Sequence, residues 1–339
     1  MKAWIIRKGS TSLDGLQPIE RPDPAPAGRE ILVRMQAASI NYRDQVIATG
    51  RYFNQEVAVD TVPLSDGAGE VVAAGPEVRR FRTGDRILGT FFRDWIDGPP
   101  PAVGRVTALG QSGVDGVLAE HVVFHEDNAV RIPGYLSFEE AACLPCAALT
   151  AWNSLVTQGR IRQGQSVLTL GTGGVSIAAL QFAKANGARV IITSSSDAKL
   201  EKARGLGADE LINYVRTPEW DRAVLEVTGG KGVDHIIEVG GLGTLARSFQ
   251  AIGVGGKIAL IGFLAGQEGE YATRNLMGKW ARLQGIMVGN RTMLEEMLGA
   301  MEVNAIRPVI DRVFDFNEAP EAYRHEFAGR HFGKVVIAI

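Results

Sequence analysis

A glycine-rich turn near the middle of the chain has the residue types and spacing that bind phosphate groups. Residues 171–176 have the sequence Gly-Thr-Gly-Gly-Val-Ser. The apolar residues 167–170 predict a strand before the turn, and the helical spacing of residues 175–185 predicts a helix after it. In this arrangement glycine lets the backbone approach a pyrophosphate, and the helix N-terminus offers free N–H groups. The complete strand–turn–helix context disfavours the alternative of a turn that binds nothing. The predicted dinucleotide-binding residues are Gly171, Thr172, Gly173, Gly174 and Val175.

The end of the next predicted strand indicates which dinucleotide binds. A protein that binds NAD needs an Asp or Glu there, about 20 residues after the first glycine. Here the strand ends in Ser194-Ser195-Ser196, and Asp197 is better suited to cap the following helix. Serine hydroxyls and a nearby cation, Lys199, can instead bind the 2′-phosphate of NADP. We therefore expect NADP(H) in preference to NAD(H), with Ser194, Ser195 and Lys199 as ligands.

The pattern of elements changes along the chain. Residues 1–130 predict short strands and turns, whereas residues 131–290 predict strands that alternate with helices, which implies a doubly wound parallel sheet. A chain of 339 residues is long enough for about two domains. We predict an α/β fold with a Rossmann domain at 131–290 and a β-rich domain at 1–130, which residues 291–339 complete. The other predicted strands include 189–193, 233–238, 257–261 and 335–339, and the other predicted helices are 42–49, 197–206, 244–251, 293–304 and 316–327.

Composition excludes several classes of protein. The 36 basic and 38 acidic side chains leave a net charge of −2, which argues against a nucleic-acid partner. The apolar runs are far shorter than the ~20 residues that span a bilayer, so no membrane segment is expected. Only Cys143 and Cys146 are present, too few for a disulfide-rich secreted fold, and we expect a cytoplasmic location. These two cysteines could form a redox pair, but their apolar surroundings favour buried thiols.

Several further motifs give the chain a family resemblance. They are Asn41-Tyr42-Arg43-Asp44, residues 66–71, Gly84-Asp85-Arg86, residues 144–152, the glycine-rich turn and Gly333-Lys334. Together, and in this order, they resemble the zinc-independent quinone oxidoreductase and enoyl-reductase branch of the medium-chain dehydrogenase/reductase superfamily. The resemblance covers essentially the whole chain. It implies a GroES-like catalytic domain beside the Rossmann domain, and homodimers are common in such families.

The resemblance allows the metal question to be tested, because zinc-dependent alcohol dehydrogenases share this layout. Their first zinc ligand is a Cys near the position of Asn41, and their second is a His where this chain has Ser65. Only the third position, Cys146, keeps a zinc ligand. A catalytic zinc needs three protein ligands, so we expect no metal. Asp66 occupies the position of an acidic residue behind the metal, and we expect it to be structural.

The resemblance also implies roles for other residues. It places Asn41 near the nicotinamide and a tyrosine near Tyr52 that stabilises or protonates an enolate in some enoyl reductases. The candidate catalytic donors are therefore Tyr52, Asn41 and Tyr42, with packing of the cleft wall as the alternative role of Tyr52. The further cofactor contacts implied by the family are Asn41, Thr150, Tyr214, Gly240, Gly241, Gly262, Phe263, Gly333 and Lys334.

The residues leave three functions open besides a zinc enzyme, which the residue at position 65 disfavours. The favoured one is NADPH-dependent reduction of quinones or α,β-unsaturated carbonyls, because an enolate needs less Lewis acidity than an isolated alkoxide. The second is a metal-free alcohol dehydrogenase or ketone reductase. The third is a non-catalytic dinucleotide-binding protein, similar to the quinone-reductase relatives that serve as lens crystallins.

Overall fold

The computed structural model describes residues 1–52, 56–101, 107–266 and 273–339. The strands of these residues are β1 Lys2–Ile6, β2 Leu16–Glu20, β3 Glu30–Ile40, β4 Asp66–Ala74, β5 Arg86–Gly89, β6 His121–His125, β7 Ala129–Arg131, β8 Ser166–Leu170, β9 Arg189–Ser194, β10 Glu210–Asn213, β11 Val233–Glu238, β12 Ile252–Leu260, β13 Arg282–Gly285, β14 Ile310–Asp315 and β15 Lys334–Ala338. The α-helices are α1 Tyr42–Ala48, α2 Phe138–Ala142, α3 Leu149–Trp152, α4 Gly174–Ala185, α5 Asp197–Gly205, α6 Trp220–Val227, α7 Leu242–Ala251, α8 Thr273–Gly278, α9 Arg291–Val303 and α10 Ala319–Phe327.

The chain divides into two compact units. Unit 1 comprises residues 1–149 and 289–339, and unit 2 comprises residues 150–288. The division differs from the predicted boundary at 130 and 131, because residues after 130 belong to unit 1. There α2 packs against β3 and β4, the Ser39 hydroxyl donates to the Ala142 carbonyl, and the Cys146 N–H donates to Asp66. These contacts explain why the unit continues through residue 149.

Unit 2 is built on a parallel sheet, which confirms the predicted α/β class. Its described strands follow the order β10-β9-β8-β11-β12-β13, and every pairing is parallel. The connections reverse direction between β8 and β11, where ligands of doubly wound sheets bind at the carboxyl ends of the strands. A buried apolar cluster beneath the sheet includes Leu168, Ile191, Ile236 and Phe249. The sheet order therefore places the glycine-rich turn after β8 beside the switch point.

Unit 1 is mostly antiparallel and has its own core. A sheet of described strands follows the order β14-β15-β3-β4-β5-β7, with β6 also paired to β3, and β1 pairs with β2. Alternate residues of β3, including Ile31, Val33 and Met35, are buried, as expected for a strand with one face on a core. The later part of the chain contributes β15, which pairs with β3, so residues far apart in sequence complete one sheet.

No helix of the described residues is both long and apolar enough to cross a membrane. This finding concerns only residues 1–52, 56–101, 107–266 and 273–339.

Candidate active site

The glycine-rich turn joins β8 to α4 as the sequence predicts. Gly171 has a φ of +76°, a conformation that favours glycine, while Gly173 caps α4 with extended backbone. Ser176 occupies the third glycine position of the motif, and its buried hydroxyl donates to the Leu170 carbonyl at 2.7 Å. This bond holds α4 close to the strand. The first N–H groups of α4, a helix of 12 residues, have no partners within the helix and can bind an anion.

The carboxyl end of β9 carries the polar residues that we predicted to select NADP. Ser194 is buried, Ser195 is exposed, and Ser196 caps α5 by accepting a hydrogen bond from the Lys199 N–H at 3.4 Å. Asp197 accepts a hydrogen bond from the Asn213 amide at 2.7 Å and forms an ion pair with Arg216. These partners give Asp197 a structural role at this end of the sheet. The predicted roles of Ser194, Ser195 and Lys199 remain predictions.

Sequence reasoning missed Arg216, although it lies at the same end of the sheet. Its side chain is 69 % exposed and pairs with Asp197 after the end of β10. Tyr214, a predicted cofactor contact, lies in the same loop and is also exposed. Arg216 could not be placed from the sequence, because the short strand β10 was not predicted. The position of the loop that follows β10 in the sheet was therefore unknown.

Two turns approach each other at the carboxyl ends of β11 and β12. The Ala265 N–H donates to the Gly240 carbonyl at 2.7 Å, and the Leu242 N–H donates to the Gly266 carbonyl at 3.2 Å. A Cβ atom on Gly241 would lie 2.8 Å from the Gly266 carbonyl oxygen and 2.9 Å from that of Gly262. These glycines are therefore required for close contact between the two turns. Phe263 is partly exposed beside them.

Glu238 supports the turn after β11 through hydrogen bonds, and the sequence analysis did not identify this role. Its carboxylate accepts hydrogen bonds from the N–H groups of Gly240 and Gly241, at 2.8 and 3.2 Å, and from the Thr244 hydroxyl at 2.6 Å. The Ser248 hydroxyl also donates to it. Burial raises the pKa of Glu238, although these donors oppose the shift. The residue thus fixes the turn that the family resemblance assigns to the cofactor.

The predicted contacts Thr150 and Tyr42 have different environments. Thr150 is buried, and its carbonyl accepts a hydrogen bond from the Ser154 hydroxyl at 2.7 Å. Tyr42 is the first residue of α1 and is 49 % exposed. Neither arrangement tests the predicted roles.

The Asn41 segment of unit 1 forms a buried, charged cluster. The Asn41 N–H donates to the Asp44 carboxylate at 2.8 Å, and the Arg43 guanidinium donates to Asp44 at 3.2 Å and to the Leu109 carbonyl at 2.9 Å. The Arg43 Cζ lies 5.4 Å from the centroid of the Tyr52 ring, within cation–π range. Burial tends to lower the pKa of Arg43, but Asp44, followed by Tyr52 and Cys146, raises it overall. Arg43 therefore stays charged beside Tyr52.

Lys334 joins the same cluster. Its ammonium donates to the Asn41 Oδ1 at 2.6 Å and to the Ile40 carbonyl at 2.5 Å, and the residue is 5 % exposed. The preceding Gly333 has a φ of +83°, and a Cβ there would lie 2.3 Å from the Val309 carbonyl oxygen. The sequence suggested a cofactor contact for both residues. The structure adds a contact of Lys334 with the backbone and side chain of the Asn41 segment.

The positions of the three zinc ligands come together around Asp66, but their residues do not fit a catalytic zinc. The Ser65 hydroxyl donates to Asp66 at 2.7 Å, and the Cys146 N–H donates to Asp66 at 3.0 Å. Burial, followed by the Asp66 charge, raises the pKa of the Cys146 thiol well above its usual value, so a thiolate is disfavoured. Among the described residues, no group of three His, Cys, Asp or Glu side chains could hold a metal ion. The Asn41 side-chain oxygen accepts a hydrogen bond from the Lys334 ammonium.

The Cys143 thiol is buried and makes a hydrogen bond to the backbone. It donates to the Glu139 carbonyl at 3.2 Å, and burial raises its pKa to about 12. Neither cysteine forms a disulfide bond with another described residue. The predicted burial is confirmed for Cys143, which is 1 % exposed, whereas Cys146 is less completely buried.

Known proteins resemble this chain over its whole length. The family described as alcohol dehydrogenase GroES-like domain matches residues 27–134, and the family described as zinc-binding dehydrogenase matches residues 174–302. A zinc-type alcohol dehydrogenase-like protein of Schizosaccharomyces pombe is 41% identical, and the match covers 99% of each chain. A solved structure of a protein from Sinorhizobium meliloti 1021 is 42% identical with a TM-score of 0.90, and one of an NAD-dependent alcohol dehydrogenase is 33% identical with a TM-score of 0.91. Each of these two matches covers 100% of both chains.

Proposed function

The chain belongs to the medium-chain dehydrogenase/reductase superfamily, and from that premise we propose that it uses NADPH, without a catalytic metal, to reduce quinones or α,β-unsaturated carbonyl compounds. Membership makes it an NAD(P)-dependent oxidoreductase. The proposal therefore concerns the substrate class, the preferred dinucleotide and the absence of zinc. The predicted cytoplasmic location and homodimer stay predictions.

One observation carries the proposal. At the three positions that would hold zinc, the Asn41 oxygen accepts from the Lys334 ammonium, the Ser65 hydroxyl donates to Asp66, and only Cys146 supplies a thiol. Without a Lewis acid, hydrogen-bond donors must stabilise the oxygen that gains charge. A conjugated acceptor spreads that charge over an enolate and needs less stabilisation than an isolated ketone. The donor set of unit 1 therefore favours conjugated substrates.

The residues present fit the binding of a nicotinamide dinucleotide. The free N–H groups of α4 and the close approach allowed by Gly171 and Gly173 suit the pyrophosphate. When bound, the dinucleotide supplies the hydride and the protein supplies position and electrostatics. Within unit 1, we assign Asn41 as a donor to the substrate oxygen and Tyr52 as the group that gives a proton to the enolate. The geometry supports this assignment, because the Arg43 guanidinium lies over the Tyr52 ring and so joins Tyr52 to the charged cluster that contains Asn41.

The experiment that tests this function measures oxidation of NADPH and NADH with quinones, enones, enals, simple ketones and aldehydes, each with and without a chelator. We expect NADPH-linked turnover of conjugated acceptors that a chelator does not change, and no stoichiometric zinc by elemental analysis. Activity confined to simple ketones or alcohols with NAD(H) would favour the second function, consistent with the relative described as an NAD-dependent alcohol dehydrogenase. Loss of activity with chelator would contradict the metal-free proposal.

A separate prediction concerns the choice between NADPH and NADH. We expect Arg216 and Lys199 to bind the 2′-phosphate, because both lie on the segments that follow β9 and β10. Replacing Arg216 with Ala should raise the Kd for NADPH about tenfold and leave the Kd for NADH unchanged, since a charged hydrogen bond contributes about 1.5–3 kcal/mol and exposure weakens it. Fluorescence titration of both dinucleotides measures the effect.

The matched control for this prediction is Arg222→Ala. Arg222 lies on α6, is 75 % exposed and pairs with Glu219, so it has the charge of Arg216 and a similar exposure but does not lie in the loop after β10. Its replacement should change neither Kd. An equal loss of NADPH and NADH affinity in Arg216→Ala would remove the 2′-phosphate role.

A further inference from the structure

We infer that Lys334 and Asn41 together form a charge-assisted hydrogen-bond donor for the anionic oxygen of the substrate, at the position of the first zinc ligand in zinc-dependent alcohol dehydrogenases. This inference rests on the proposed function and deepens it. Asn41 would contact the substrate, and Lys334 would act through Asn41 as a positioning residue.

The Lys334 ammonium orients the Asn41 amide. The Lys334 ammonium donates to the Asn41 Oδ1 at 2.6 Å, and an ammonium can only donate. The oxygen end of the amide is therefore fixed toward Lys334, and the Nδ2 end with its two N–H groups points away from it. The same ammonium is anchored by the Ile40 carbonyl at 2.5 Å, so the charge has a defined position on β15.

The Asn41 amide has a donor that no described residue uses. The Asn41 Nδ2 is buried and has no hydrogen-bond partner among the described residues, and Asn41 is 8 % exposed. Burial raises the pKa of the nearby Asp66 carboxyl, and the Asn41 side chain partly opposes that shift, so the two groups lie close together although Nδ2 makes no hydrogen bond to a described residue. Even a bond to Asp66 would leave the second N–H available. A buried donor without a partner is costly and rare, which is consistent with a group held for a ligand.

The Lys334 charge polarises the N–H groups of the Asn41 amide. An amide whose oxygen accepts from an ammonium has its N–H groups polarised, and hydrogen bonds that involve an ion are roughly twice as strong as neutral ones. The acceptor that best uses such a donor is an oxygen that gains negative charge during reaction. The Lys334 ammonium interacts electrostatically with the buried carboxyl groups of Asp44, Asp66 and Glu326, although burial raises the pKa of all three, to about 6 for Asp44 and about 7 for Glu326. The cluster thus places the Lys334 ammonium against Asn41, the residue at the position of the first zinc ligand.

The test uses the full-length protein and variants that separate the donor from the charge. Asn41→Asp keeps an oxygen for Lys334 but removes both N–H groups, so kcat for a conjugated acceptor should fall about 10²- to 10³-fold, the usual effect of losing one such donor. The thermal stability should change little, because the Lys334 contact becomes an ion pair, and the loss in kcat should persist at saturating NADPH. A purely structural role for the pair would leave kcat near that of the wild type.

Lys334 is tested by charge rescue. Lys334→Gln keeps a donor for the Asn41 oxygen but removes the charge, and should lower kcat about tenfold. Lys334→Arg restores the charge and should recover part of that loss. The control is Lys279→Gln, since the Lys279 ammonium also donates to backbone carbonyls, including that of Ile252 at 2.7 Å, but lies in unit 2. Its kcat should stay within about twofold of wild type.

The possible outcomes distinguish this inference from the proposed function. Wild-type protein that reduces conjugated acceptors, together with an Asn41→Asp variant of unchanged kcat, would overturn the inference alone. Folded Lys334→Gln and Lys334→Arg variants of equal kcat would also overturn it. Wild-type protein that reduces no carbonyl compound would overturn both.

Discussion

Gly173→Asp should raise the Kd for NADPH and for NADH by about 10²- to 10³-fold while leaving the protein folded. Gly173 caps α4 with φ −79° and ψ −177°, a backbone conformation that any residue adopts, and Asp is a favourable N-cap residue. The new carboxylate would lie beside the bound pyrophosphate and repel it by about 4 kcal/mol at ~4 Å and an effective dielectric constant near 20. Fluorescence titration gives the two Kd values, and thermal unfolding gives the stability.

The control for this substitution is Gly173→Asn, which has nearly the same shape and also caps helices but carries no charge. It should weaken both dinucleotides much less than the aspartate does. If the two variants bind NADPH equally well, the turn does not hold the pyrophosphate through its positive end. Equal affinity of Gly173→Asp and wild type would remove the phosphate site from this turn altogether.

Asp66→Ala should lower the free energy of unfolding of unit 1 by about 3–5 kcal/mol. Asp66 is completely buried, and it accepts from the Ser65 hydroxyl and the Cys146 N–H. Burial raises its pKa, while Lys334 and the groups that donate to its oxygens oppose that shift. Removing it would leave the Cys146 N–H without this partner and Lys334 without one of its counter-charges. Urea denaturation monitored by tryptophan fluorescence measures the loss.

Glu321→Ala is the matched control in the same unit. Glu321 forms a surface ion pair with Arg324 three residues later, and both side chains are more than half exposed. Such pairs contribute about 0.2–1 kcal/mol. A loss in Asp66→Ala no larger than in Glu321→Ala would mean that the buried cluster does not stabilise unit 1.

The elements that sequence analysis predicted well are those with a strong local pattern. The apolar run at β8, the glycine-rich turn and the helical spacing of α4 lie next to each other, and the structure confirms them within a residue. The region between residues 207 and 232 was left unassigned, because β10 has only four residues and α6 has eight. Short elements contain too few residues for a periodic pattern to stand out.

The candidate site was harder to predict because its contacts join distant residues. The bond between Lys334 and Asn41 spans 293 residues, and no local pattern indicates that β15 lies beside β3. Glu238 had the position of an ordinary strand end, yet it supports the turn that follows it. The motifs thus predicted which segments bear function, whereas the partners of each side chain follow from the tertiary fold.

The discontinuity of unit 1 has a consequence for synthesis on the ribosome. Lys334 of β15 bonds to Ile40 of β3 across 294 residues, and all of unit 2 lies between them in sequence. At ~5–20 residues per second, β3 would wait roughly 15–60 s for that neighbour to be made. Unit 2 therefore has time to fold while the larger sheet still exposes an unpaired strand, and we expect nascent chains to become protease-resistant in residues 150–288 first.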